Sequence, residues 1–168
     1  MKKRTKKSQM QISFGMIISI ILIIFFLIFG FYGIRAFLRF QDNAKAGNFI
    51  KELQADVDTA WKSSQSSEVR EYFIPTKYTK VCFVDFSVPS KGKDSLIYVE
   101  LKKVKEGSEN MVFYPIKHTG IDSASIKNIN IEEITSEENP YCINSNGGKI
   151  KIRILKEFTD RTVSLERA

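Results

Sequence analysis

The side chains of this chain best suited to chemistry are few and scattered. There is one histidine, His118, just before Thr119 and Gly120. That dipeptide predicts a loop after a strand, where an imidazole is solvated rather than poised as an acid, base or ligand. The only cysteines, Cys82 and Cys142, stand sixty positions apart. Two thiols and one imidazole fall short of a four-ligand zinc site, and no carboxylate sits at a spacing that would complete one. The sequence has no CxxC, HExxH, GxSxG, P-loop or GxGxxG, so thiol-redox, zinc-protease, serine-hydrolase and nucleotide signatures are missing. Asp85, Glu100, Glu132, Glu133, Glu137 and Glu138 are the carboxylates available for acid-base hydrolysis, which needs two of them facing one bond. Their spacing selects no pair, and solvated surface charge is the simpler account. The expectation is a protein that is not an enzyme, with no catalytic, cofactor-binding or metal-binding residues.

Two other groupings carry physical meaning. An even cysteine count in a domain outside the cytoplasm favours a Cys82 to Cys142 disulfide; the alternative is two buried thiols acting as small apolar groups. The row Lys149, Lys151, Arg153 and Lys156 offers cations for an anionic glycan, lipid headgroups or an acidic protein partner. It equally suits a solvated outer strand face that discourages edge pairing.

These residues hang on a chain with an uneven charge distribution. Of 168 residues, 26 are Lys or Arg and 19 are Asp or Glu, a net charge of +7. Lys2, Lys3, Arg4, Lys6 and Lys7 supply +5 of it within residues 1–11, leaving only +2 for residues 12–168. A nucleic-acid-binding domain carries its excess on the folded part, so no nucleic-acid partner is expected. Residues 12–34, ISFGMIISIILIIFFLIFGFYGI, hold no charge in 23 positions. As a helix they extend about 35 Å, enough to cross a bilayer core with some tilt. The five cations before this segment, against Arg35, Arg39 and Lys45 in the eleven residues after it, place the N-terminus in the cytoplasm and the remainder outside. A cleavable secretory signal is the competing reading, with Ala44-Lys45-Ala46 as its small-x-small site. The apolar run exceeds the usual signal length, which favours an uncleaved signal anchor. With eleven residues on the cytoplasmic side, no kinase or output domain is expected there.

The helix is not expected to stop at the membrane. No proline precedes Pro75, and Ala46, Ile50, Leu53, Val57, Ala60 and Trp61 keep helical spacing in one apolar stripe. One nearly continuous helix over residues 12–61 follows, with Gly47 its weak point and the serines of 63–67 its end. Beyond residue 70 the pattern turns to alternation, giving strands over 78–86, 97–101, 111–114, 128–132 and 149–154, and a short last one over 162–165. Asn146-Gly147-Gly148 supplies a turn before the clearest of them. The predicted fold class is α+β: a long N-terminal transmembrane helix continuing as an amphipathic helix packed on a small antiparallel β-sheet head of four to six strands. The predicted boundaries are a basic leader 1–11, a transmembrane helix 12–34, a helix extension 35–62 and a β-rich head 63–168.

A basic leader, a glutamine-containing junction and an apolar helix that continues into an amphipathic one resemble the archaeal type IV pilin-like proteins. The residues that carry the resemblance are Lys6-Lys7-Ser8-Gln9 and Gln11-Ile12-Ser13-Phe14, similar to the family's basic-Gly-Gln junction and its Gln-x-Ser start. The resemblance covers residues 1–61 and implies a leader-processing junction at Ser8, Gln9, Met10 and Gln11. It further implies that helices of this kind bundle with pilin-like subunits or a membrane complex. Ser8 and Met10 stand where the family usually has Gly or Ala. The family's glutamate four residues into the mature chain is Ser13 or Gly15 here, which points to a minor component rather than a major filament subunit. The function so implied is that of a single-pass, membrane-anchored surface protein of a type IV filament or its assembly machinery. The alternative is a permanently anchored accessory protein whose head contacts a protein partner or an envelope polymer.

Overall fold

The computed structural model describes residues 14–117 and 120–168. The leader 1–11, its junction at Ser8, Gln9, Met10 and Gln11, and His118 lie outside the described residues. Two compact units divide the chain, Met1–Leu38 and Arg39–Ala168. Helix α1 spans Phe14–Lys62, so the predicted transmembrane and amphipathic segments belong to one element. Its interior contains no proline, and Gly30 and Gly33 have open space around them.

In the second unit α1 is the spine of the core. Ala46, Phe49, Leu53, Val57 and Ala60 are buried, in steps of three and four that bring one face to bear. The stripe read from the sequence needs two corrections. Trp61 is 41% exposed, its indole Nε1 donating to the Arg161 carbonyl at 3.0 Å. Phe49, not Ile50, is fully buried, with its ring edge-on to Tyr72 and Phe113. α1 ends where Ser63 Oγ donates to the Ala60 carbonyl at 2.7 Å. Lys156 Nζ donates to the carbonyls of Trp61 and Ser63 at 2.5 and 2.7 Å, a cation placed where helix carbonyls have no intrahelical partner.

The head is antiparallel, as predicted for the fold class, but its strands form two sheets rather than one of four to six strands. β1 (Ser66–Phe73), β6 (Lys149–Lys156) and β7 (Ser164–Arg167) make one sheet in the order β1-β6-β7. β2 (Lys80–Phe83), β3 (Met111–Tyr114), β4 (Ser123–Ala124) and β5 (Tyr141–Asn144) make the other in the order β4-β3-β2-β5. The apolar face of the first sheet, Ile150, Ile152 and Ile154, joins the α1 stripe in one core. Strand β2 is covered on both faces, as its two apolar parities require. Val81 and Phe83 belong to the α1 core, while Cys82 and Val84 belong to a smaller one with Leu101, Val112 and Cys142.

That smaller core corrects the strand expected over 97–101. This segment is helical: a 3-10 turn at Ser95–Ile97, α2 at Tyr98–Leu101 and a second 3-10 turn at Lys102–Val104. Ile97, Tyr98, Leu101 and Val104 face the sheet, whereas Val99, which a strand would have buried, is 71% exposed. The strand expected over 128–132 is also absent. Ile131–Ile134 is a single helical turn, α3, whose N-cap Asn130 accepts from the Glu133 amide at 3.3 Å. Asn130 Nδ2 donates to Glu133 Oε2 at 2.9 Å, while the Asn130 backbone amide donates to the Val163 carbonyl at 2.8 Å. Tyr114-Pro115 and Asn139-Pro140 are cis peptides.

Candidate functional site

The described part of the first unit presents one kind of chemistry, an apolar surface on every side of the helix. From Phe14 to Leu38 the large apolar side chains of α1 are between 41% and 76% exposed. α1 is the one helix among the described residues long and apolar enough to cross a membrane. Hydrocarbon accommodates such a surface because every backbone polar group is bonded within the helix. Ser19 follows the same rule, its Oγ donating to the Gly15 carbonyl at 2.8 Å. At the far end of the charge-free run, the Arg35 guanidinium lies 4.3 Å from the centroid of the Phe31 ring.

In the second unit the two cysteines are brought together. Cys82 and Cys142 are directly opposed in the β2-β5 register, with their Cα atoms 4.0 Å and their sulfurs 2.07 Å apart, at bonding distance. The Cys82 half of this pairing lies in the strand predicted over 78–86, whereas the Cys142 half is not visible in local sequence, because β5 is a four-residue strand that opens just after Pro140.

The basic row is split by the structure. Lys149, Lys151 and Arg153 share the exposed face of β6, each within 4 Å of a carboxylate on a neighbouring strand. Lys149 and Lys151 stand 3.5 and 3.9 Å from Glu71, and Arg153 stands 3.7 Å from Glu166. Lys156 is not part of that face. It has the opposite parity and is committed to the end of α1.

The carboxylates have individual roles. Asp85 is buried and accepts from the Ser87 amide at 2.8 Å and from Ser87 Oγ at 2.6 Å. Glu138 pairs with Arg167, and Glu133 closes the α3 cap. Among the described residues no cluster of three or more His, Cys, Asp or Glu is placed to hold a metal ion. Missed from sequence was a set of polar clamps fastening loops to α1. Gln54 Oε1 accepts from the Lys127 amide at 2.8 Å, Gln54 Nε2 donates to Asp58 at 2.8 Å, and Asn128 Nδ2 donates to the same Asp58 oxygen at 2.9 Å. The Tyr72 hydroxyl donates to Asp56 at 2.7 Å and that of Tyr78 to Asp122 at 2.9 Å. Burial, reinforced by the adjoining carboxylate, pushes both phenols well above the ordinary tyrosine range. The Glu109 carboxyl is held below its ordinary pKa because its own backbone amide and those of Gly107 and Glu106 bond the ionised form.

No family model, curated protein or solved structure matches the chain. The functional reading therefore rests on these surfaces and on the residues of the N-terminal region.

Proposed function

We propose that this chain is a non-enzymatic, single-pass membrane-anchored surface protein with its N-terminus in the cytoplasm and its head outside. In this reading it is a pilin-like minor subunit of a type IV filament, or a component of the machinery that assembles one. The observation that carries the proposal is the division of labour along α1. Its first half exposes apolar side chains throughout, and its continuation buries Phe49, Leu53 and Val57 as the spine of a β-rich head. A helix that must serve as lipid or subunit contact at one end and as core at the other suits a protein used through its anchor as much as through its head. Two cysteines at bonding distance support an extracytoplasmic head, since disulfides persist in oxidising compartments.

A second reading is favoured by one specific feature: Ser8 and Met10 stand where the processed junction of the resembled family usually has Gly or Ala. On that reading the chain is a permanently anchored accessory protein whose head contacts a protein partner or envelope polymer.

The intact mass of protein purified from its native membrane without reductant separates the two. Loss of residues 1–8 or 1–10, together with recovery of the protein in sheared surface filaments, supports the filament reading. A full-length mass, less Met1 at most, and co-purification with one membrane complex support the accessory reading. Truncation after Ala46 would overturn both, because the apolar segment would then be a cleaved secretory signal.

A further inference from the structure

The rim of the head at which α1 enters it is marked out by contacts to the first turns of that helix within the second unit. Lys77 Nζ lies 3.5 Å from Asp42, which fixes the turn after β1 against the helix. The Ile74 amide donates to the Gly148 carbonyl at 2.8 Å, bringing the turn before β6 alongside. Gly120 approaches so closely that a Cβ there would fall 2.1 Å from Asn43 Oδ1. This rim carries Arg39, Lys45, Lys77, Lys117 and Lys149 with three acids, Asp42, Glu71 and the buried Asp122, which accepts from the Lys117 amide at 3.2 Å. It also carries an aromatic ring at the surface: Phe73 is 59% exposed, with Lys149 Nζ 5.5 Å from its centroid.

We propose that this cationic rim, with Phe73 exposed beside Lys149, docks on the anionic headgroups of the bilayer that holds α1. The inference rests on the membrane-anchored reading above. Arg39 and Asp42 follow Ile34, the last residue of the charge-free run, by five and eight positions, about 8 and 12 Å of helix. The polar layer on each side of a bilayer core is roughly 5 to 8 Å thick, and lysine stems extend their ammonium groups beyond the backbone that bears them. An exposed Phe beside lysines can bury its ring at the headgroup-acyl boundary while the ammonium groups stay among the headgroups. A bilayer is moreover the one partner that an anchored head meets continuously, because the tether turns docking into an intramolecular event. Each lysine close to an anionic leaflet favours the docked state about fivefold, an effect that salt screens. Lys151 and Arg153 continue the charged face along β6 toward the other end of the head, while Lys156 at that end serves α1.

The test is hydrogen exchange of the full chain in nanodiscs of phosphatidylcholine alone and of phosphatidylcholine mixed with phosphatidylglycerol. The expected result is slower exchange over residues 73–78 and 145–149 in the anionic discs, by about tenfold or more at low salt, abolished at high salt. The double variant Lys45→Gln, Lys117→Gln, at exposed positions, is expected to lose most of that protection. Equal exchange in both lipids, with the chain embedded in both, would overturn the docking while leaving the anchor intact. Protection that tracks the number of chains per disc instead of the lipid charge would overturn it in favour of contact with a second copy. Failure to enter either disc would overturn the anchor itself, and the docking with it. The lipid comparison uses the unaltered chain, so it stands whether or not the double variant folds.

Discussion

Tyr72 and Tyr78 show how single residues tie elements together: Tyr72 joins β1 to α1 through Asp56, and Tyr78 joins the turn after β1 to the segment before β4 through Asp122. Each hydroxyl reaches a carboxylate from within the core, and burial is the larger reason that its proton is held. The folded pKa is raised above the unfolded value of about 10, so the stabilisation is complete below that pH and is lost as pH rises from there toward the folded value. The expected outcome is alkaline unfolding in which these two phenolates appear only as near-ultraviolet circular dichroism collapses. Absorbance and dichroism followed in one titration check it, and phenolates appearing ahead of the collapse would contradict the assignment. Cys82 and Cys142 act on the unfolded chain instead. A bond closing a loop of this length contributes about 4 kcal/mol in the chain-entropy account. Replacing both by serine, or reducing the wild-type head, is therefore expected to lower the denaturation midpoint by a corresponding amount. The pairing was legible only as an even count of cysteines. Their opposition depends on the register of β2 against β5, which no local pattern encodes.

At the scale of elements, α1 was legible and the strands were partly so. The helix declares itself by a charge-free run, helical spacing and the lack of proline, all local properties. Phe49 escaped notice because three adjacent positions, Asn48, Phe49 and Ile50, leave the centre of the stripe undefined by one residue, and packing against Tyr72 and Phe113 decides it. Phe49→Ala is expected to cost about 3 to 5 kcal/mol in urea unfolding. Gly47→Ala is expected to stabilise by about 1 kcal/mol, since an added Cβ would meet Ile121 at 3.7 Å, ordinary contact distance, within a helix interior. Gly148→Ala in the turn before β6 should do the reverse: the backbone has φ +82 and the new Cβ would sit 2.8 Å from the Ile74 carbonyl oxygen. Thermal melts of the three variants side by side would order them. The start of strand β1 was hidden by the serines of 63–67, expected only to end the helix, and five of its successive positions, 67–71, face solvent. Its ladder to β6, from Ser66↔Lys156 to Phe73↔Lys149, is supplied by the partner rather than by its own hydrophobicity. The segment at 97–101 fits both periods, and only the smaller core on the second sheet selects the helical one.

For the whole molecule, the expected behaviour follows from what each unit can bury. The proposed topology predicts that protease added to intact cells removes the unit Arg39–Ala168 and leaves an apolar fragment that alkaline carbonate does not extract; full protection of the head would reverse the orientation. The sequence by itself determined the extremes of this protein: 23 uncharged residues beside a basic leader, a helix that outlasts them, and a strand-rich remainder. Those are fixed locally, because hydropathy and backbone period act over a few turns of chain. Only the tertiary structure decided how the remainder is used. It divided the strands between two sheets, set Cys82 against Cys142, gave Lys151 and Arg153 carboxylates on neighbouring strands, sent Lys156 to the end of α1, and set Lys77 beside Asp42 and Lys149 beside Phe73. Each of these joins residues far apart in sequence, and their energies depend on burial and register that exist only once the chain has closed on α1.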